Sequence, residues 1–72
     1  MPYDYSKLLG LITEKYRSQQ MFGKAMNLST RSISLKLNGK VGWKQKEISK
    51  ACNLLGIPEK QISTYFFALK VQ

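Results

Sequence analysis

Residues 19–39, QQMFGKAMNLSTRSISLKLNG, constrain this chain more than any other stretch, because they set two short helices on either side of one tight turn. Ser18 stands where it can cap the first of them, QQMFGKAM, in which Phe22, Ala25 and Met26 share a buried side. Gly23 weakens that helix by about 1 kcal/mol relative to alanine, so its presence predicts close contact with a neighbouring helix. Asn27 suits a left-handed C-terminal position, after which Leu28 turns back towards the core. Ser29 caps the next helix, Ile33 and Leu37 form its inward side, and Asn38 and Gly39 end it, since glycine reaches positive φ without a Cβ clash.

The remaining elements follow from apolar spacing and breakers. Asp4 is a plausible N-cap for a first helix over residues 5–16, with Tyr5, Leu8, Leu9, Ile12 and Tyr16 on one face and Leu11 beside that stripe, partly exposed. KVGWK reads as a loop, with Trp43 tucked into the core. Beyond it Ile48, Ala51, Cys52 and Leu55 give the stripe of a fourth helix stopped by Gly56. Pro58 suits the first position of a short fifth helix whose Ile62 packs on the core. The tail STYFFALK is open between a last helical turn and an extended cap. Four to five short helices with no strand alternation predict a compact all-α fold, and 72 residues predict a single domain over 1–72.

Twelve Lys and Arg against four acids give a net charge of +8. Nine of the twelve fall between positions 15 and 50, where Glu47 is the only acid. Such a block implies an anionic partner, phosphate being the commonest, against the plainer reading of a solvated face that keeps the chain soluble. A single cysteine excludes an internal disulfide, and on the apolar side of its helix Cys52 reads as a small core residue. With no histidine, no paired acids at useful spacing, no glycine-rich phosphate loop and no cofactor motif, the sequence argues against an enzyme, a metal site, a cofactor or a small-molecule substrate. No apolar run approaches the roughly 20 residues of a membrane span, and MPYDYSK lacks the order of a signal peptide, so a cytoplasmic location is expected.

Two short helices joined by a tight turn, the second basic and sharply capped, form the outline of a helix-turn-helix. With Gln19 as its first position, Gly23 is fifth, Asn27 ninth and Ile33 fifteenth. The fifth must lie close to the second helix, the ninth must turn the chain, and the fifteenth fills the space between them. In these positions and in the later LLGI the sequence resembles the phage Cro and CI repressor family, of lambda-repressor-like fold. YDYSKL, RSISLKLNGK, WKQKEI and YFFALKVQ together are most similar to the small Cro-like modulators of repression of temperate phages of Gram-positive bacteria.

That resemblance implies a role in a phage lysis-lysogeny switch, with the N-terminal domain of the CI repressor as partner and a host-cell location. An antirepressor of this kind favours the lytic programme; the alternative is a Cro-like repressor that binds operator DNA, alone or with CI. Two positions depart from the family pattern. Asn27 replaces the usual glycine of the turn, with little consequence because asparagine tolerates the same backbone. Lys36 stands where an aliphatic buried residue is usual, and is expected to lay its stem over apolar surface with its ammonium in solvent.

The candidate partner-binding or DNA-reading helix contributes Thr30, Arg31, Ser34, Leu35 and Asn38. Arg31 is the natural bidentate guanine reader, and Thr30 and Ser34 would make short contacts. Gln19, Ser29, Lys36, Lys40 and Lys44 are candidates for phosphate or for an acidic partner. Leu35, on the outward face, has three possible roles: touching a thymine methyl, packing sideways, or anchoring a protein, of which the anchor is favoured. Tyr65, Phe66 and Phe67 cannot all be buried on one face. Either they plug the core with Tyr3 and Tyr5 nearby, or an exposed ring joins Leu35 or Leu11 in a candidate apolar interface.

Overall fold

The computed structural model describes residues 3–70. Met1, Pro2, Val71 and Gln72, the ends of the MPYDYSK and YFFALKVQ segments, lie outside the described residues. Five helices follow one another: α1 Ser6–Tyr16, α2 Gln19–Met26, α3 Thr30–Leu37, α4 Gln45–Leu55 and α5 Ile62–Phe66, the last led in by a 3₁₀ turn over Glu59–Gln61. The fold is all-α, as the spacing predicts.

Most helix ends have a local cause. The Asp4 carboxylate accepts hydrogen bonds from the amide and hydroxyl of Ser6, which hold its pKa below the usual carboxylate value and fix the entry to α1. Ser18 Oγ accepts from the Met21 amide and Ser29 Oγ from the Ser32 amide, each at 3.1 Å. Asn27 sits at φ 62° and ends α2, while Gly39 at φ 73° and Gly56 at φ 69° follow α3 and α4. The end of α1 is different, because Arg17, a residue with no preference for that region, adopts φ 73°.

The core gathers Tyr5, Leu8 and Ile12 of the first segment, Phe22 and Met26 of α2, Ile33 of α3, Ala51, Cys52 and Leu55 of α4, then Ile57 and Phe66. Burial pushes the Cys52 thiol pKa up, in keeping with a packing role. Leu9 departs from the expected stripe: it is 37% exposed, and half-buried Leu11 packs against the core in its place. The α1 stripe is therefore rotated by part of a turn, away from Leu9 and towards Leu11. Ala25 is half-buried, and buried Gly23 takes the inward position beside Phe22 and Met26.

The tail uses both of its alternatives. After α5 the chain runs extended, Tyr3 and Leu69 form an isolated antiparallel bridge, and the Asp4 amide donates to the Ala68 carbonyl at 2.6 Å. This closes the two ends of the described chain on each other. Phe66 is 1% exposed and Phe67 47%, which resolves the three consecutive aromatics: Phe66 is core, Phe67 lies outside, and Tyr65 leans half-buried on the core. Edge-on contacts link Trp43 to Phe66 at 5.3 Å and Tyr3 to Phe67 at 5.7 Å between ring centroids. The terminal aromatics thus form a plug, with Tyr3 and Tyr5 beside it.

Candidate functional site

Helices α2 and α3 meet where Gly23 allows it. A Cβ at Gly23 would stand 2.8 Å from the Leu28 carbonyl oxygen and 3.4 Å from Cγ1 of Ile33, so a larger residue would force the turn outward. Asn27, Leu28 and Ser29 then reverse the chain, with the Leu28 amide donating to the Gly23 carbonyl at 2.8 Å. The fifth, ninth and fifteenth positions do the work their residue types predict.

Along the outer side of α3, Thr30, Arg31 and Asn38 are exposed, while Ser34 and Leu35 are half-buried. Asn38 Nδ2 donates to Ser34 Oγ at 3.4 Å, which lays that amide along the helix surface. Leu35 belongs neither to the core nor to the half-buried apolar residues packed against it. It remains a half-buried apolar group on the side of α3 that carries exposed Arg31. Ser29 is exposed, but its hydroxyl caps α3 and donates to Ser32 Oγ at 3.1 Å. Gln19 is half-buried at the start of α2, and Lys40 and Lys44 are exposed beyond α3.

Lys36 requires a correction. Its side chain is 5% exposed, and its ammonium lies 2.8 Å from Glu47 Oε1, itself on a side chain 15% exposed. It also donates to the Gly42 carbonyl at 3.1 Å and lies 5.9 Å from the centre of the Trp43 ring. The ammonium expected in solvent is instead an internal tie between α3, the loop and α4. The same Glu47 oxygen accepts the Lys44 amide at 2.8 Å, half of a capping pair whose other half lysine, having no acceptor, cannot supply. Burial raises the Glu47 pKa, but the hydrogen bonds from Lys36 and Lys44 and their positive charges outweigh it, leaving the carboxyl below its usual value. The signal was present in the sequence: the one acid of the basic block is the partner of the one lysine at an inward position.

The candidate apolar interface of Leu11, Tyr65, Phe66 and Phe67 does not form one patch. Phe66 is core, and Leu11 and Tyr65 pack half-buried against it; Phe67 alone is exposed. What sequence reasoning missed is a hollow next to α3, of about 490 Å³, whose wall includes Val41, Trp43, Ile48 and Phe67. A second hollow of about 290 Å³ shares Tyr3, Tyr5 and Gly39 with the first and includes Gln19, Leu37, Asn38 and Lys70. Among the described residues there is no cluster of three or more potential metal ligands, and no helix is long and apolar enough to cross a membrane.

A helix-turn-helix with a basic, sharply ended second helix has the architecture of a small regulatory binding module. The chain belongs to the family described as "Protein of unknown function (DUF739)", which matches residues 1–69. It is similar to the modulator of repression (MOR) of the temperate bacteriophage TP901-1 from Lactococcus lactis, whose solution structure matches with 54% identity and a TM-score of 0.82 over 100% of this chain and 97% of that one. No curated protein matches the chain. The relative is named as a modulator of repression, and likeness at this level over the full length supports a phage regulator role.

Proposed function

We propose that this chain is an antirepressor of a phage genetic switch. It docks on the N-terminal domain of a CI repressor through α3 and changes operator occupancy in favour of the lytic programme, in the cytoplasm of the bacterial host. The observation that carries this reading is Leu35, an apolar side chain on the outer side of α3 outside the core and its packed neighbours, set between exposed Arg31 and the α3 end. Apolar anchors of this kind slow release from a protein, while surrounding cations speed encounter with an acidic face. Docking on an acidic face next to the repressor's own basic DNA-contacting surface, so that the bound chain blocks DNA sterically, is the simplest mechanism, and a joint complex on DNA is the other.

Direct operator binding is a second reading, favoured by the exposure of Thr30 and Arg31 at the start of α3, where free backbone N–H groups suit phosphate. A gel-shift titration of operator DNA with this protein, with the CI domain and with both separates the two. Loss or alteration of the CI shift, with no shift by this protein alone, is expected for the antirepressor. On the docking reading, Leu35→Ala weakens binding to CI by about 2 kcal/mol. On the DNA reading, Arg31→Ala costs about 1–3 kcal/mol and relaxes one base position. Purified protein that neither binds the CI domain nor alters its operator complex would sink the docking reading.

A further inference from the structure

Immediately past α3 the surface offers a groove that the helix face itself does not explain. Its volume is about 490 Å³, within the range of sites that enclose a ligand or a side-chain anchor. Val41, Trp43, Ile48, Phe66 and Phe67 give it a mainly apolar lining; its polar side-chain groups among the described residues are the hydroxyls of Tyr3 and Tyr5, the Gln45 amide and the Trp43 indole N–H, which is buried without a partner. Three of the lining residues, Tyr3, Val41 and Phe67, are large apolar groups left exposed.

The charge around it is mainly positive. Lys40, Lys44 and Lys46, all exposed, adjoin Gly39, Val41, Trp43 and Gln45 of the lining along the chain. Glu47 is turned inward onto Lys36, and Asp4, which adjoins Tyr3 and Tyr5 of the lining and also lines the second hollow, accepts hydrogen bonds from Ser6. The groove is also joined to α3, since the amides of Lys40 and Val41 both donate to the Leu35 carbonyl, at 2.9 and 3.3 Å. One hydrogen-bonded run of backbone therefore carries Leu35 and the groove rim together.

We propose that this groove receives a large apolar side chain, leucine or phenylalanine, from an acidic segment of a protein partner. The lining matches an apolar side chain and the rim matches flanking carboxylates. A nucleobase fits less well, because its polar edges would enter a wall with few groups to satisfy them. The proposal deepens the docking reading and rests on it for the partner's being a protein: the groove is a second anchor point, beside the one at Leu35.

The test is an amide NMR titration of the full chain at low salt with a blocked peptide holding one phenylalanine between pairs of aspartate and glutamate. Saturable shifts are expected at the amides of Gly39, Val41, Gly42 and Gln45 and at the Trp43 indole, with at least tenfold weaker binding when serine replaces the phenylalanine or lysines replace the acids. Val41→Asp, at an exposed rim position, is expected to weaken the peptide at least tenfold while leaving the spectrum of α1 and α4 unchanged. Equal binding of the serine peptide, shifts spread over lysines remote from the groove, no saturable shift, or a thymidine oligonucleotide that displaces the peptide from these amides would each overturn the proposal. The CI domain distinguishes its failure from that of the docking reading. Peptide binding in the groove with no CI binding by the parent leaves the groove standing without the repressor, whereas CI binding lost in Leu35→Ala but unchanged in Val41→Asp removes the groove and keeps the repressor.

Discussion

Lys36 and Glu47 are the residues whose surroundings decide most. Taking both charges out of water costs several kcal/mol per ion, and their attraction, the Gly42 carbonyl and the Lys44 amide offset that cost. Removing one partner should therefore hurt more than removing both. Glu47→Gln leaves the ammonium without its anion and is expected to lower stability in urea unfolding by about 2–3 kcal/mol, whereas Lys36→Met combined with Glu47→Leu should lie within about 1 kcal/mol of the parent. The same pair sets an acid dependence. Glu47 has a folded-state pKa below its ordinary 4.5, so the folded form takes up that proton less readily than the unfolded chain. The stabilisation is fully present above 4.5 and is lost as pH falls through the lower folded value. Thermal unfolding from pH 6 to about pH 2 should show a shallower acid decline for Glu47→Gln than for the parent; identical declines would assign the acid sensitivity elsewhere, with Asp4 at the start of α1 the next group to examine.

At the scale of elements, the α2–α3 unit was the most legible part of the sequence because each of its constraints falls on a different residue type. Gly23 reports a close approach, Asn27 a left-handed turn, Ser18 and Ser29 two helix starts, and all four do what their chemistry predicts. Gly23→Val is accordingly expected to cost about 3 kcal/mol, measured by denaturation, since its Cβ would already meet backbone at 2.8 Å. The end of α1 was illegible for the opposite reason: Arg17 occupies φ 73° without any residue that signals it. Arg17→Gly should raise the unfolding midpoint, by up to about 1 kcal/mol in stability, because glycine carries no Cβ penalty in that region. The α1 stripe itself was displaced, Leu9 outward and Leu11 inward, because the face an amphipathic helix buries is chosen by its neighbours as well as by its own spacing. The candidate surface was legible in the same uneven way. The outer side of α3 follows from helix periodicity alone, whereas the groove needs the loop, the amino-terminal tyrosines and the final aromatics brought together from three distant parts of the chain.

For the whole molecule, the net charge of +8 is compatible with a nucleic acid and with an acidic protein face, and kinetics distinguish them where composition does not. Encounter with an acidic protein is steered by the summed field, which salt screens, whereas release is set by buried apolar anchors that salt barely touches. Binding to DNA instead releases counterions in proportion to the phosphates neutralised, so its equilibrium constant falls as a power of the salt concentration. Stopped-flow or surface-based association with the CI domain should therefore show an association rate falling by about tenfold between 50 and 200 mM salt, with a dissociation rate changing less than about twofold. Leu35→Ala should do the reverse, raising the dissociation rate by about tenfold or more and leaving the salt dependence of association intact. A dissociation rate that climbs with salt as steeply as the association rate falls would place the binding energy in the lysines rather than in Leu35. The α3 surface would then read charge alone, as a phosphate-binding helix does.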